Sequence, residues 1–345
     1  MRGRSPKQLV LPAIGLLVMI LVFSVVLPRV ANYGDVWGVI RTIKPKWLVL
    51  LGVAELMNLA TYAPNWMTAI PGLGYRQSLE LTMAGTAISN VAPLGGPVSM
   101  TMQYGMLRQW GFERRMASRA MVLTGVWNNL VNLSLPIVAL TILTARGGKN
   151  AALTAAARIG APLVLIFLVL FIGIMRSERV AGAAGHIADR LFNIIRRLRR
   201  KPLKTGAATA LHNFREDSIS LVRRRWLALT LTTLGGVLTV FVVLVVSVRA
   251  LGITGDQITF TEAFAAWAAT RLLSAIPITP GGIGLIEVGL TQALTAFGAQ
   301  EANAVAAVLL YRAVTWLPPV ILGGLAALTW RRHERRGSPT TQTSS

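Results

Sequence analysis

Six runs of this chain stay apolar for as long as a lipid bilayer is thick. They lie at 9–28, 47–70, 119–144, 153–175, 226–250 and 302–330, and each reaches the roughly 20 residues that a helix needs to cross. Hydrocarbon offers backbone N–H and C=O groups no water, so a crossing segment must close its hydrogen bonds on itself. The runs therefore predict an all-α polytopic membrane protein. The charge content agrees, at 14% where a soluble domain carries about 25%. The first run is too long for the apolar core of a secretory signal, and no A-x-A pattern follows it. It reads as an uncleaved first span.

Two further apolar stretches, 78–108 and 262–297, are interrupted near their centres. The first carries "SNVAPLGG" at 89–96 and the second "SAIPITPGG" at 274–282. Each half is too short for a straight crossing. The pattern predicts two re-entrant hairpins, each a half-helix in, a tight tip and a half-helix out. The Gly pairs 95–96 and 281–282 stand 186 residues apart, and each stretch follows one long run and precedes another. The expected architecture is thus about six full spans plus two opposed hairpins forming an inverted repeat, an arrangement that places a transport site near the bilayer midplane.

The tips carry the candidate site. A break in the backbone at membrane depth is tolerated only when it is buried in protein or faces a wet cavity. Beyond each Gly pair a new half-helix begins, with free N–H groups and the positive end of its dipole. Two such ends near the midplane would attract an anion such as a phosphate. Gly95, Gly96, Gly281, Gly282 and Gly284 permit positive φ and close approach of backbone. Pro93, Pro277 and Pro280 deny the preceding half-helices continuation. Glu287 follows in the first turns of the second half-helix, where it either caps free N–H groups, pairs with an arginine, or serves function. Arg271 and Arg312 are the arginines at comparable depth. Glu55, Asn58, Asn65, Glu80 and Asn90 accompany the first tip. Asn128, Asn129 and Asn132 form a polar stripe in the next span, where hydrogen bonds between helices are expected.

The formal charge is +22. In a soluble chain that would indicate nucleic acid, but here the basic residues gather between the spans. With the N-terminus inside, the cytoplasmic segments hold 25 Lys and Arg and the external ones six. Both termini are therefore expected in the cytoplasm of a plasma membrane, in the manner of a bacterial inner-membrane protein. In the middle loop, Ile187, Leu191, Ile194, Ile195 and Leu198 recur at helical spacing among arginines. Residues 186–201 thus read as a helix lying on the anionic inner leaflet. The chain has no cysteine, which removes disulfides, thiolate metal sites and cysteine nucleophiles. Its three histidines all fall in polar segments, and no P-loop is present. No metal or cofactor is expected.

These residues carry a family resemblance. "PITPGGIGLIEVGL", followed by "GAQEANAVAAVLLYR", resembles the second-half signature of the lysylphosphatidylglycerol synthase transmembrane region, or flippase-like domain. "SNVAPLGG" with "YGMLRQWG" resembles its first half, and the likeness covers nearly the whole chain. It implies a single domain over 1–336, with inverted halves at 47–144 and 226–330, the basic loop at 176–225, and a disordered tail at 337–345. Pro280, Gly281, Gly282, Gly284 and Glu287 match the hairpin motif, and Arg312 the arginine of the following span. Many members carry an arginine just past the first Gly pair; here the residues are "VSMTMQ", so no basic contact is implied on that side.

The family includes proteins that move aminoacylated phosphatidylglycerol between leaflets. The expected function is translocation of an anionic or headgroup-modified phospholipid, without an aminoacyltransferase domain and without enzymatic activity. An ion-coupled carrier of a small polar solute suits the inverted hairpins equally. A membrane-embedded transferase on a lipid-linked substrate suits them less, because the loop acids do not gather at one interface.

Overall fold

The computed structural model describes residues 41–91, 95–145, 168–198, 206–274 and 284–336, with the single positions 38, 162, 165, 166 and 282. The runs expected at 9–28 and over about half of 153–175, the tip residues Pro93, Pro277, Pro280 and Gly281, the end of the expected helix at 199–201, and the tail at 337–345 lie outside these. The described residues form helices and no strand. In chain order they are α1 (Pro45–Ala60), α2 (Tyr62–Ala69), α3 (Tyr75–Val91), α4 (Gly95–Gln109), α5 (Arg114–Ala145), α6 (Glu178–Leu198), α7 (Ala207–Ala250), α8 (Phe260–Ser274), α9 (Leu285–Ala296) and α10 (Glu301–Arg336).

Among the described residues, four stretches are long and apolar enough to cross a membrane: Pro45–Ala69, Arg114–Ala145, Ser218–Ala250 and Glu301–Ala326. They coincide with four of the six runs. Their outward faces are unpaired apolar side chains such as Val49, Leu56, Leu231 and Ile321, the surface a span offers to lipid. The first of the four bends between α1 and α2. Pro64 has no N–H to return to the carbonyl of Ala60, four residues back, and the Tyr75 hydroxyl donates to that carbonyl instead, at 3.1 Å.

The interrupted stretches form two pairs of short helices, α3–α4 and α8–α9, of 17, 15, 15 and 12 residues. At about 1.5 Å per residue they are some 18 to 26 Å long, shorter than the hydrocarbon thickness of about 30 Å. The two pairs sit in different apolar cores. One core joins α3–α4 to the N-terminal parts of α5 (Ala117–Trp127) and α7 (Leu221, Leu229). The other joins α8–α9 to the C-terminal parts of the same two helices, Leu135–Leu143 and Val237–Ala250. The pairs therefore lie toward opposite ends of the long helices.

The packing partners follow an exchange rule. Helix α3 packs against α10, the long helix that follows the other pair, and α8 packs against α5 in the same way. Within the pairs α3 meets α4 and α8 meets α9, while α1–α2 packs against α7. The α3–α10 crossing is close, because a Cβ on Gly323 would collide with the Met83 carbonyl and lie 2.9 Å from the Ala87 Cβ.

Helix α6 begins eight residues earlier than the sequence indicated and packs along the start of α7. It turns small residues inward, with Ala181 and Gly185 buried, and Arg215 of α7 holds Glu178 at 3.1 Å. Its larger residues Val180, Ile187 and Ile194, spaced seven apart, remain exposed.

Candidate functional site

The second tip is built around a carboxylate. Gly284 precedes α9 with φ +86°, a conformation that side chains resist. Glycine cannot cap a helix with a side chain of its own, so the cap comes from inside: Glu287 Oε2 accepts the Gly284 N–H at 2.6 Å. The other oxygen, Oε1, accepts Arg312 Nε, also at 2.6 Å. Glu287 is 5% exposed. Both of its oxygens are committed, one to the turn of its own helix and one to α10. The two structural roles anticipated for Glu287, cap and arginine partner, are both filled.

Among the described residues Arg271 has no such partner. It stands on α8, four residues after Trp267, and its guanidinium lies over the Trp267 ring at 4.4 Å from the centroid. Its Nε and Nη2 are buried and make no hydrogen bond. Trp267 is fixed in turn by its own Nε1–H, which donates to the Tyr311 hydroxyl at 3.3 Å. Tyr311, Arg312 and Tyr62 lie within electrostatic reach of Arg271. Two guanidinium groups thus occupy one buried region, and the nearby carboxylate of Glu287 is already engaged by one of them. A buried guanidinium without a counter-charge is costly, and one over an aromatic face recovers only part of that.

The facing wall comes from α1 and α2. Glu55 is 5% exposed and Asn58 fully buried. Glu55 Oε2 accepts Asn58 Nδ2 at 3.2 Å, while Oε1 is buried without a hydrogen bond. Asn58 is held on its other side by α7, where the Thr239 hydroxyl donates to Asn58 Oδ1 at 3.3 Å. Tyr62, one turn beyond Asn58, lies within reach of both Glu55 and Arg271.

The structure therefore gathers Glu55, Arg271, Glu287 and Arg312 into one region with Asn58, Tyr62, Trp267 and Tyr311. Gly282 and Gly284 take the positive φ expected of them, +68° and +86°. Gly95 supplies close approach: a Cβ there would lie 2.7 Å from the Ile88 carbonyl and strike that of Ser89. Asn90, at the end of α3, is half-buried. Arg76 and Glu80 of the first pair do not join the cluster, because they bond each other at 3.0 Å near the surface.

Of the asparagines, Asn58 and Asn65 do bridge helices, to Thr239 and Thr233 of α7. The stripe on α5 does not follow that expectation. Asn129 and Asn132 donate to the Gly125 and Asn128 carbonyls of their own helix; Asn128 and Asn129 are exposed and Asn132 is half-buried. Sequence reasoning passed over Trp267, Tyr311 and Tyr62. The available signals were the i, i+4 spacing of Trp267 to Arg271 and the adjacency of Tyr311 to Arg312.

Long apolar helices around two pairs of short ones, with a buried arginine–carboxylate cluster at one of them, define a multi-pass helical membrane protein with an interior polar site. The chain belongs to the family of the lysylphosphatidylglycerol synthase TM region, which matches residues 13–323. It is similar to a UPF0104 membrane protein of Archaeoglobus fulgidus, 26% identical over 330 residues that cover 91% of this chain and 95% of the relative. A UPF0104 membrane protein of Pyrococcus horikoshii is 33% identical over 78 residues, 23% of each chain.

Proposed function

We propose that the protein translocates an anionic or headgroup-modified phospholipid between leaflets, acting as a carrier and not as an enzyme. In this reading α3–α4 and α8–α9 are re-entrant hairpins that enter the bilayer from opposite faces as parts of an inverted repeat. The exchange of packing partners and the two separate cores support it, as does helix length. The whole of 1–336 is then one domain, with both termini in the cytoplasm. Helix α6 lies on the anionic inner leaflet through the exposed Val180, Ile187 and Ile194.

One observation carries the substrate class. Arg271 keeps two buried nitrogens unbonded beside a second guanidinium. A phosphate diester brings the missing charge and acceptors, and arginine suits it geometrically. The apolar outer faces let acyl chains stay in lipid while the headgroup reaches Arg271.

The test is reconstitution in liposomes with fluorescent phosphatidylglycerol and a membrane-impermeant quencher. Wild type is expected to expose inner-leaflet probe to the quencher, and Arg271→Met to lose this. Equal movement of a neutral diacylglycerol would remove phosphate from the argument. Uptake of a water-soluble anion with no lipid movement would make the protein a small-solute carrier.

A further inference from the structure

Two buried groups of opposite sign are left with bonding capacity in this region. Arg271 is one, and the function proposed above employs it. Glu55 is the other, and that function does not need it. Its Oε1 is buried and unbonded, and among the described residues its one hydrogen-bond donor is the neutral amide of Asn58. An ionised carboxylate at this depth with one neutral donor is poorly stabilised. A protonated one has an O–H to place and little charge to solvate. The carbonyl oxygen of Asn58 faces the other way, toward the Thr239 hydroxyl at 3.3 Å.

The geometry points to Glu55 as a proton-binding site that couples proton movement to movement of the anionic headgroup at Arg271, an inference that rests on the headgroup reading of Arg271. The surrounding charges are few. Tyr62 faces Glu55 from α2, and Arg271 of α8 and Tyr311 of α10 are the other groups within reach of that hydroxyl. Arg312 of α10 lies beyond them, neutralised by Glu287 of α9. From α7 the nearby group is the uncharged Thr239 hydroxyl.

Arg271 and Glu55 are linked through Tyr62, which lies within electrostatic reach of both, so the charge at Arg271 bears on the proton at Glu55. A phosphate at Arg271 cancels that charge and favours a proton on Glu55. Headgroup and proton therefore arrive together and leave together. The proton comes from water on one face and returns to water on the other, so no other reactant is required. An inward-acid gradient would drive lipid outward, and the reverse gradient inward.

The experiment uses the purified full chain in liposomes and has two arms. In the first, fluorescent phosphatidylglycerol is followed with and without a pH gradient. Wild type is expected to shift the leaflet distribution with the gradient and to reverse it when the gradient is reversed. Glu55→Gln, which still accepts the Asn58 N–H, is expected to equilibrate the probe with no response to the gradient. Glu55→Asp, which keeps a titratable group, is expected to retain the response. In the second arm, pH-difference infrared spectra are recorded in phosphatidylcholine liposomes with and without phosphatidylglycerol. A protonated-carboxyl band is expected that grows with phosphatidylglycerol in wild type, is missing in Glu55→Gln, and ignores phosphatidylglycerol in Arg271→Met. Lipid movement that ignores the gradient in wild type overturns the proton site alone, as does a full gradient response in Glu55→Gln. A band that responds to phosphatidylglycerol when no lipid moves upholds the proton site and overturns lipid translocation.

Discussion

Arg271 and Arg312 look alike in the sequence and sit in opposite situations in the fold. Removing Arg271 removes a charge whose Nε and Nη2 are buried and which none of the described residues neutralises. Arg271→Met is therefore expected to leave thermal stability in detergent unchanged or raised while lipid movement is lost. Removing Arg312 strands Glu287, whose Oε1 then faces protein with no counter-ion. Arg312→Ala is expected to cost about 3–5 kcal/mol, read as a fall in the unfolding midpoint. Glu287→Leu combined with Arg312→Leu should recover much of that. Loss of stability on Arg271→Met, or none on Arg312→Ala, would exchange the two roles.

The elements meet where side chains are absent. At the α3–α10 crossing, Gly323 leaves no room for a Cβ, whereas a Cβ on neighbouring Gly324 has nothing within 4 Å. Gly323→Leu is expected to destabilise by at least about 1–3 kcal/mol and Gly324→Leu by little. A thermal-unfolding comparison of the two in the same detergent checks this. Helix α6 uses small residues against α7 and keeps Ile187 and Ile194 outward. A polarity-sensitive dye on Ala183→Cys should therefore be quenched by lipid-borne quencher in anionic vesicles, less so at high salt. Ile187→Ser with Ile194→Ser should abolish that quenching. Unchanged quenching would assign the stripe to something other than lipid.

For the whole molecule, the exchange of packing partners is the informative pattern. The first helix of each pair leans on the long helix that follows the other pair, while the second packs on the long helix that follows its own, and each core draws residues from both halves. That arrangement suits a carrier whose halves rock against each other about an interior site. The orientation follows from the charge count, and the chain's lack of cysteine makes it directly measurable. Asp256→Cys, at an exposed position beyond α7, is expected to react with an impermeant thiol reagent from outside intact cells. His186→Cys, exposed on α6, is expected to react only after permeabilisation. Labelling of position 256 from the cytoplasmic face alone would invert the topology.

The helical class, four long spans, and two broken segments with Gly95, Gly282 and Gly284 in close contact or at positive φ were legible in the sequence, whereas Gly96 has open space around it and no positive φ. Each depends on local properties: the length of an apolar run, the N–H that proline lacks, the Cβ that glycine lacks. The family was legible in "PITPGGIGLIEVGL" for the same reason. Which arginine Glu287 would bond was not legible, since Arg271 and Arg312 lie at comparable depth and only the packing of α9 on α10 selects Arg312. Nor could spacing show that Asn58 braces α7 while Asn132 serves its own helix, because that depends on which face each span turns inward. The approach of Tyr62 to Arg271 joins α2 to α8, segments some 200 residues apart. Local pattern carries no information across that distance. Only the tertiary fold decided which buried charges were neutralised and which were left open, and the proposed activity depends on those left open.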